Sequence, residues 1–304
     1  MDINNLPPGP AKRDTLLKEI KRGSFERNYT KIIGCIYLRD DQLEDPLCIA
    51  EALLMRYPGA MLRGFAALAY RGYSLLDKNW VPVLSISRDT PYVPPQFGKV
   101  LRNKQPKEFY IGDKKTVSDV QAIVDIFDMP DTWERQRGND FAEKVALLDH
   151  LVRQNHLLFQ QIAEDEQLRR YCEWIDAMAD SRPESILRVR LRQEGITGFM
   201  TQVPVQGMRK TYYVDLGNPL LRVGLEYQGA GHFASAEERS ADSHRQNDLR
   251  AGGWVIIEVT SSDLWKPQRW DLLVQRIKQQ ITAKQVARQQ RLPPPAPLAQ
   301  LRSA

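Results

Sequence analysis

The run KTYYVDLGNPLLRVGLEYQGAGHF, residues 210–233, decides how the carboxyl-terminal half of this chain is read. Two apolar and aromatic stretches flank Gly-Asn-Pro, a turn signal, so the run predicts a β-hairpin. Side chains alternate across a strand, which puts Val223, Leu225 and Tyr227 on one face and Gly224, Glu226 and Gln228 on the other. The first face is core. The second sets a carboxylate beside an amide, next to a glycine that leaves room for something to approach. Asp215 ends the preceding strand. Simple pairing around Asn218 and Pro219 places it opposite Arg222, so only a wide loop or a bulge brings Asp215 and Glu226 together. Carboxylates that meet repel, and one takes up a proton unless a cation lies between them. Hard oxygen ligands with open positions suit Mg²⁺, which binds through one or two carboxylates and keeps several waters.

Outward from the hairpin, helices and strands alternate. SRPESILRVRLRQEG reads as a helix capped by Ser181, with Pro183 and Glu184 in its first turn and Gly195 ending it. TGFMTQVPV and WVIIEVT read as strands, SAEERSADSHRQNDLRAG as a polar helix, and the chain from about Pro267 as an amphipathic helix with Leu273, Ile277 and Ile281 in line. This order predicts a mixed α/β (α+β) domain over 181–285 with its own core. Residues 131–180 form a helical connector in which His150 and His156 do not share a helical face. Residues 1–130 predict a separate α/β domain. Its elements are a short helix in RDTLLKEIK, a strand in KIIGCIYL, and a helix in DPLCIAEALLMRYPG capped by Asp45 with Pro46 next. A second helix follows in MLRGFAALAYRGY, then a strand in VPVLSISR and a proline-rich link in DTPYVPPQFG. That half holds no glycine-rich phosphate loop and no Ser/His/Asp arrangement.

The net charge of +5 invites a nucleic-acid reading, but Lys284, Arg288, Arg291 and Arg302 supply most of it; the first 280 residues sum to +1. Residues 286–304 are a basic, proline-rich tail. Cys35, Cys48 and Cys172 are scattered and give neither a disulfide framework nor a zinc spacing. The apolar runs are too short to cross a membrane. The opening MDINNLPPGPAKRD has no apolar core behind a basic head, so no targeting segment is expected there and the cytoplasm is the expected compartment.

The spacing from Asp215 through Glu226 to Gln228 resembles the PD-(D/E)xK nuclease signature in its very-short-patch-repair-like branch. Residues 180–285 are similar to an actinobacterial domain family of that branch. Its pattern runs through a helix-borne Glu, a strand Asp, Glu-x-Asp-Gly-x-x-His, Asp-x-x-Arg and a Gly-Trp or Gly-Tyr pair. Glu184, Asp215, Glu226, His232, Asp242, Arg245 and Trp254 fall on it. The resemblance implies a restriction-endonuclease-like sheet flanked by helices and a DNA endonuclease using Mg²⁺ or Mn²⁺. Asp215 and Glu226 hold the metal with the carbonyl of Tyr227, and Glu184 completes the shell or acts as base. In the same terms Gln228 positions water, His232 handles a proton, and Arg245 contacts phosphate. Two positions depart from the pattern. Gln228 stands where Asp or Lys is usual, which removes the charge that lowers the water's pKa, and Glu258 stands where Arg is common.

IIGCIYL, GAMLRGFAALAYRGYSL, VPVLSISR and TVSDVQAIVDIF resemble the amino-terminal part of abortive-infection antitoxins of the AbiEi type. That likeness implies a short winged-helix element, here about Arg13 to Leu38, with basic character from Lys12, Arg13, Lys18, Lys21, Arg22 and Arg27. The expected function is a metal-dependent DNA endonuclease in a defence or repair setting. The alternative is an inactive DNA-binding regulator that keeps the nuclease fold. DNA is the expected partner and no membrane is; a homodimer, or a partner protein encoded by a neighbouring gene, fits either reading.

Overall fold

A computed structural model describes residues 6–102, 106–133, 140–208, 210–229 and 236–291. The chain is α+β and divides into two compact units, one of residues 1–135 and 154–173, the other of 136–153 and 174–304. The stretch 131–180, expected as a connector, is thus shared out between them. No helix among the described residues is long and apolar enough to cross a membrane.

The first unit opens with β1 (Ala11–Lys12), α1 (Arg13–Glu19), α2 (Arg22–Asn28), β2 (Tyr29–Ile33) and β3 (Ile36–Arg39). β1, β3 and β2 lie side by side in that order, all antiparallel. The KIIGCIYL segment is therefore not one strand but a hairpin. Gly34 breaks it in the left-handed region, φ +58°, a conformation that costs glycine nothing. Leu16, Ile20, Phe25 and Tyr29 close a small core beneath the two helices. There follow α3 (Pro46–Arg56), β4 (Met61–Arg63), α4 (Gly64–Tyr70), β5 (Val83–Ile86), β6 (Lys99–Arg102), β7 (Phe109–Ile111), β8 (Lys114–Thr116) and α5 (Asp119–Asp128). Asp45 caps α3 by accepting the Leu47 N–H, with Pro46 in the first turn. MLRGFAALAYRGY opens as strand: Met61–Arg63 is buried in the centre of a five-stranded mixed sheet, order β6-β5-β4-β8-β7. The helix begins only at Gly64, φ +52°. Arg63 there makes a buried two-pronged pair with Asp125 of α5, at 2.5 Å on both prongs.

The second unit takes α6 (Asp140–Gln154) up to Arg153, while Gln154 and α7 (Leu157–Glu164) belong to the first. His150 lies in the second unit and His156, at the start of α7, in the first, so they form no pair of ligands on one helix. The remaining elements are α8 (Arg182–Gln193), β9 (Met200–Gln206), β10 (Thr211–Asn218), β11 (Val223–Gln228), α9 (Ala236–Ala251), β12 (Val255–Thr260), α10 (Ser261–Trp265) and α11 (Pro267–Arg291). The sheet order is β12-β11-β10-β9, with β11 and β12 parallel and the other pairs antiparallel. Tyr212, Val214, Val203 and Trp254 cluster with Leu249 of α9, and α8 packs on β10. α8 is tied to α6 by Arg182 on Glu143 and Arg188 on Asp149, each at 2.8 Å. In α11 the inward stripe is Trp270, Leu273, Val274 and Ile277, and the helix runs on to Arg291, so the expected tail begins as helix. Residues 292–304 lie outside the described residues.

Candidate functional site

The hairpin closes through a four-residue loop, 219–222, with Asn218 facing Val223, Gly217 facing Gly224 and Leu216 facing Leu225. The narrow turn read from Gly-Asn-Pro is thus replaced by the wider alternative. Pro219 has no N–H to give the ladder, the Asn218 side chain accepts the Leu221 N–H at 3.0 Å, and Arg222 turns the chain at φ +52°. This register carries Asp215 to the level of Glu226 rather than Arg222. There the ladder stops, and Oδ2 of Asp215 accepts the Tyr227 N–H at 2.9 Å. The other neighbour of β10 is also interrupted at this level. Pairing jumps from Val214 with Val203 to Leu216 with Thr201, and Gln202 between them takes φ +48°, a region a non-glycine residue seldom enters.

That bend aims Gln202 at Glu184. The Gln202 amide donates to Oε2 of Glu184 at 3.0 Å, the Asp180 N–H to the same oxygen at 3.1 Å, and the Ser181 hydroxyl to Oε1 at 2.8 Å. Ser181 in turn accepts the Glu184 N–H, so the cap of α8 and the site share a residue. Glu184 is buried, with only 7% of its surface exposed. Sequence reasoning missed Gln202, and no sequence signal marks a glutamine that will be held at positive φ.

Glu226 is buried too, at 4% exposure, but it is not unpaired. Arg245 of α9 grips both of its oxygens, at 2.6 and 2.5 Å, and donates to the Tyr213 carbonyl at 2.9 Å. Burial works against the Arg245 charge, but the bond to Glu226, with Asp215 and Asp242 nearby, raises its pKa above the ordinary value. Asp215 fares differently. Burial first, then the charges of Glu184 and Glu226, push its carboxyl up to about 6, against the opposing pull of the Tyr227 N–H and Arg245. Three acids from α8, β10 and β11 therefore feel one another while one guanidinium neutralises one of them.

The glycine beside Glu226 does not leave room for a ligand. A Cβ on Gly224 would lie 2.7 Å from side-chain carbons of both Val214 and Ile256, and one on Gly217 would lie 2.9 Å from the Val203 Cβ and 3.2 Å from the Trp254 ring. The glycines make space for the indole and its neighbours. Gln228 is half-buried at the end of β11. Glu258 stands in register with Glu226 on β12, exposed, and accepts from the Gln246 amide at 3.3 Å. His232, the expected proton carrier, lies outside the described residues. Among the described residues no three His, Cys, Asp or Glu side chains stand close enough to hold one ion between them.

The first unit has a cleft of about 640 Å³ lined by Arg71, Tyr73, Tyr110, Asp119, Gln154 and Asn155. Its polar groups are largely engaged with one another. Arg71 and Tyr73 both hold Asp119, Asn155 donates to Tyr73, and Gln154 bonds the Ser74 backbone. No family model matches the chain, and searches of the curated proteins and of the solved structures likewise find no match.

Proposed function

We propose that the second unit is a metal-dependent DNA endonuclease of the PD-(D/E)xK kind, working in the cytoplasm in a defence or repair setting. The observation that carries the reading is a surplus of negative charge around Asp215: burial and the charges of Glu184 and Glu226 push it up to about 6 although the Tyr227 N–H and Arg245 pull the other way. A divalent ion relieves that surplus. The donors fit Mg²⁺ or Mn²⁺ as a site of two carboxylates completed by waters, not as a three-carboxylate cage. Asp215 and Glu226 would hold the ion, with the Tyr227 carbonyl beside them; when bound, it supplies a Lewis acid for the phosphodiester and lowers the pKa of a water. Glu184, its oxygens held by Ser181, Asp180 and Gln202, serves by its charge at the edge of the site rather than as a free ligand. The Tyr227 N–H fixes the orientation of Asp215, Gln228 positions water through its amide, His232 moves a proton, and Arg245 meets a phosphate. Lys and Arg side chains of α11 and the tail track the backbone, which makes binding steeply salt-dependent.

A second reading, an inactive DNA-binding regulator, is favoured by two observations. Arg245 occupies both oxygens of Glu226, and Gln228 brings no charge to the water. Residues 11–39 add to it: two short helices followed by a hairpin, with the strand order β1-β3-β2, support the expected winged-helix element. They carry eight Lys or Arg against three acids, and Lys21, Arg22, Arg27 and Lys31 are exposed. Calorimetric titration of Mg²⁺ and Mn²⁺ separates the readings. The nuclease reading expects binding that disappears in the Asp215→Ala, Glu226→Ala double variant; heat signals that persist unchanged in that variant place the ion elsewhere and sink the assignment.

A further inference from the structure

We propose that Arg245 is a latch on this site: its guanidinium holds Glu226 until a DNA phosphate takes the guanidinium instead, so that divalent-ion binding and DNA binding strengthen one another. The proposal rests on the nuclease reading of the second unit. Its starting point is the two-pronged contact in which both Glu226 oxygens accept from Arg245, at 2.6 and 2.5 Å. A carboxylate so occupied has its best lone pairs directed at a guanidinium rather than at an ion. The two partners differ in access. The Glu226 side chain is 5% exposed and that of Arg245 23%, so the guanidinium has a side open to solvent from which an incoming anion can reach it. Its third hydrogen bond goes to the Tyr213 carbonyl, on a residue that is itself 58% exposed.

Two physical constraints turn this contact into a switch. A guanidinium fork fits phosphate by the same geometry with which it fits carboxylate, so a phosphodiester is a competitor of matching shape. A buried carboxylate stripped of its partner is strongly unfavourable, so Arg245 leaves Glu226 readily only when another cation replaces it. Phosphate for Arg245 and a divalent ion for Glu226 therefore exchange together. Neither ligand alone releases the pair at low cost. Asp215, level with Glu226 and oriented by the Tyr227 N–H at 2.9 Å, adds its charge to the side of the ion. Linkage then requires reciprocity: DNA must tighten the ion by the same factor as the ion tightens DNA. Without DNA the site binds divalent ions only weakly, which limits idle activation of water.

The test titrates Mn²⁺ into the full chain, following free Mn²⁺ by its paramagnetic resonance signal. A short duplex with phosphorothioate linkages, which slow hydrolysis, is present or absent. For the wild type the latch predicts that the duplex tightens Mn²⁺ binding by about tenfold or more. Arg245→Gln should bind Mn²⁺ without DNA more tightly than the wild type does, with little further gain when the duplex is added. Its melting temperature should rise with Mn²⁺ more than that of the wild type, since the ion replaces the missing partner of Glu226. If Arg245→Gln does not fold, Arg245→Lys, which keeps the charge but loses the fork, should show the same change at smaller size. Equal Mn²⁺ affinity with and without DNA in the wild type overturns the latch while leaving a metal site in place. So does weaker Mn²⁺ binding in the Arg245 variants than in the wild type. Absence of Mn²⁺ binding in every protein, with and without the duplex, overturns the nuclease reading itself and the latch with it.

Discussion

Asp215 stands where β10 and β11 part, and its environment resists its charge. Because its pKa in the fold, about 6, lies above the 3.8 of the free side chain, the folded state prefers the protonated form. The resulting stabilisation is complete below the lower value and is lost as pH rises through the upper one. Asp215→Asn keeps a carbonyl for the Tyr227 N–H and removes the titration. Its stability relative to wild type should therefore improve between about pH 4 and about pH 7.5, by on the order of 2 kcal/mol, with residual solvent reducing the figure. Urea unfolding at the two pH values without divalent ions checks this, and a difference that does not change with pH contradicts it. Arg245 and Glu226 form the complementary case, a buried pair that satisfies its own charges, and for that reason Glu226 on its own is a weaker sign of function than Asp215.

Among the elements, β11 shows how packing and site share one strand. Its face toward α9 alternates a glycine with an acid, and the glycine is there because Trp254, Val214 and Ile256 fill the space a side chain would take. Gly224→Ala should cost about 1–3 kcal/mol through overpacking. Gly23→Ala, in an exposed helical position with nothing within 4 Å of the added carbon, should instead stabilise by roughly 0.5–1 kcal/mol. Thermal melts of both compare the two directions; a Gly224→Ala protein as stable as wild type would contradict the packing account. These same positions mark what the sequence could convey. Cap, proline and period signals located α3, α8, β10, β12 and α11, because such signals are local. Gly34 inside KIIGCIYL and Gly64 inside MLRGFAALAYRGY break those apolar runs at positive φ, where apolar periodicity alone shows no boundary. The convergence of Asp215 with Glu226 followed from loop width, and the hold of Arg245 on Glu226 spans nineteen residues. Neither is written in any local pattern.

For the molecule as a whole, two units each with its own core carry the two features on which the proposed DNA readings rest. The first unit offers the small helix-helix-hairpin element, where positive charge is concentrated far beyond the +1 of the first 280 residues. The second offers the acidic cluster, which no polyanion approaches without a cation to mediate. A chain that binds DNA through one and cuts with the other, and a chain that only binds, share every feature except the capacity of Asp215 and Glu226 to take an ion. The most direct measurement is therefore nicking of supercoiled plasmid by the full chain with Mg²⁺, Mn²⁺ or Ca²⁺, run beside Asp215→Asn and Glu226→Gln and paired with a band-shift on the same DNA. The nuclease account predicts nicking with Mg²⁺ or Mn²⁺, none with Ca²⁺, and a loss of at least about a hundredfold in both variants while DNA binding persists. A band-shift without nicking in any metal would contradict it and leave the regulator reading in its place.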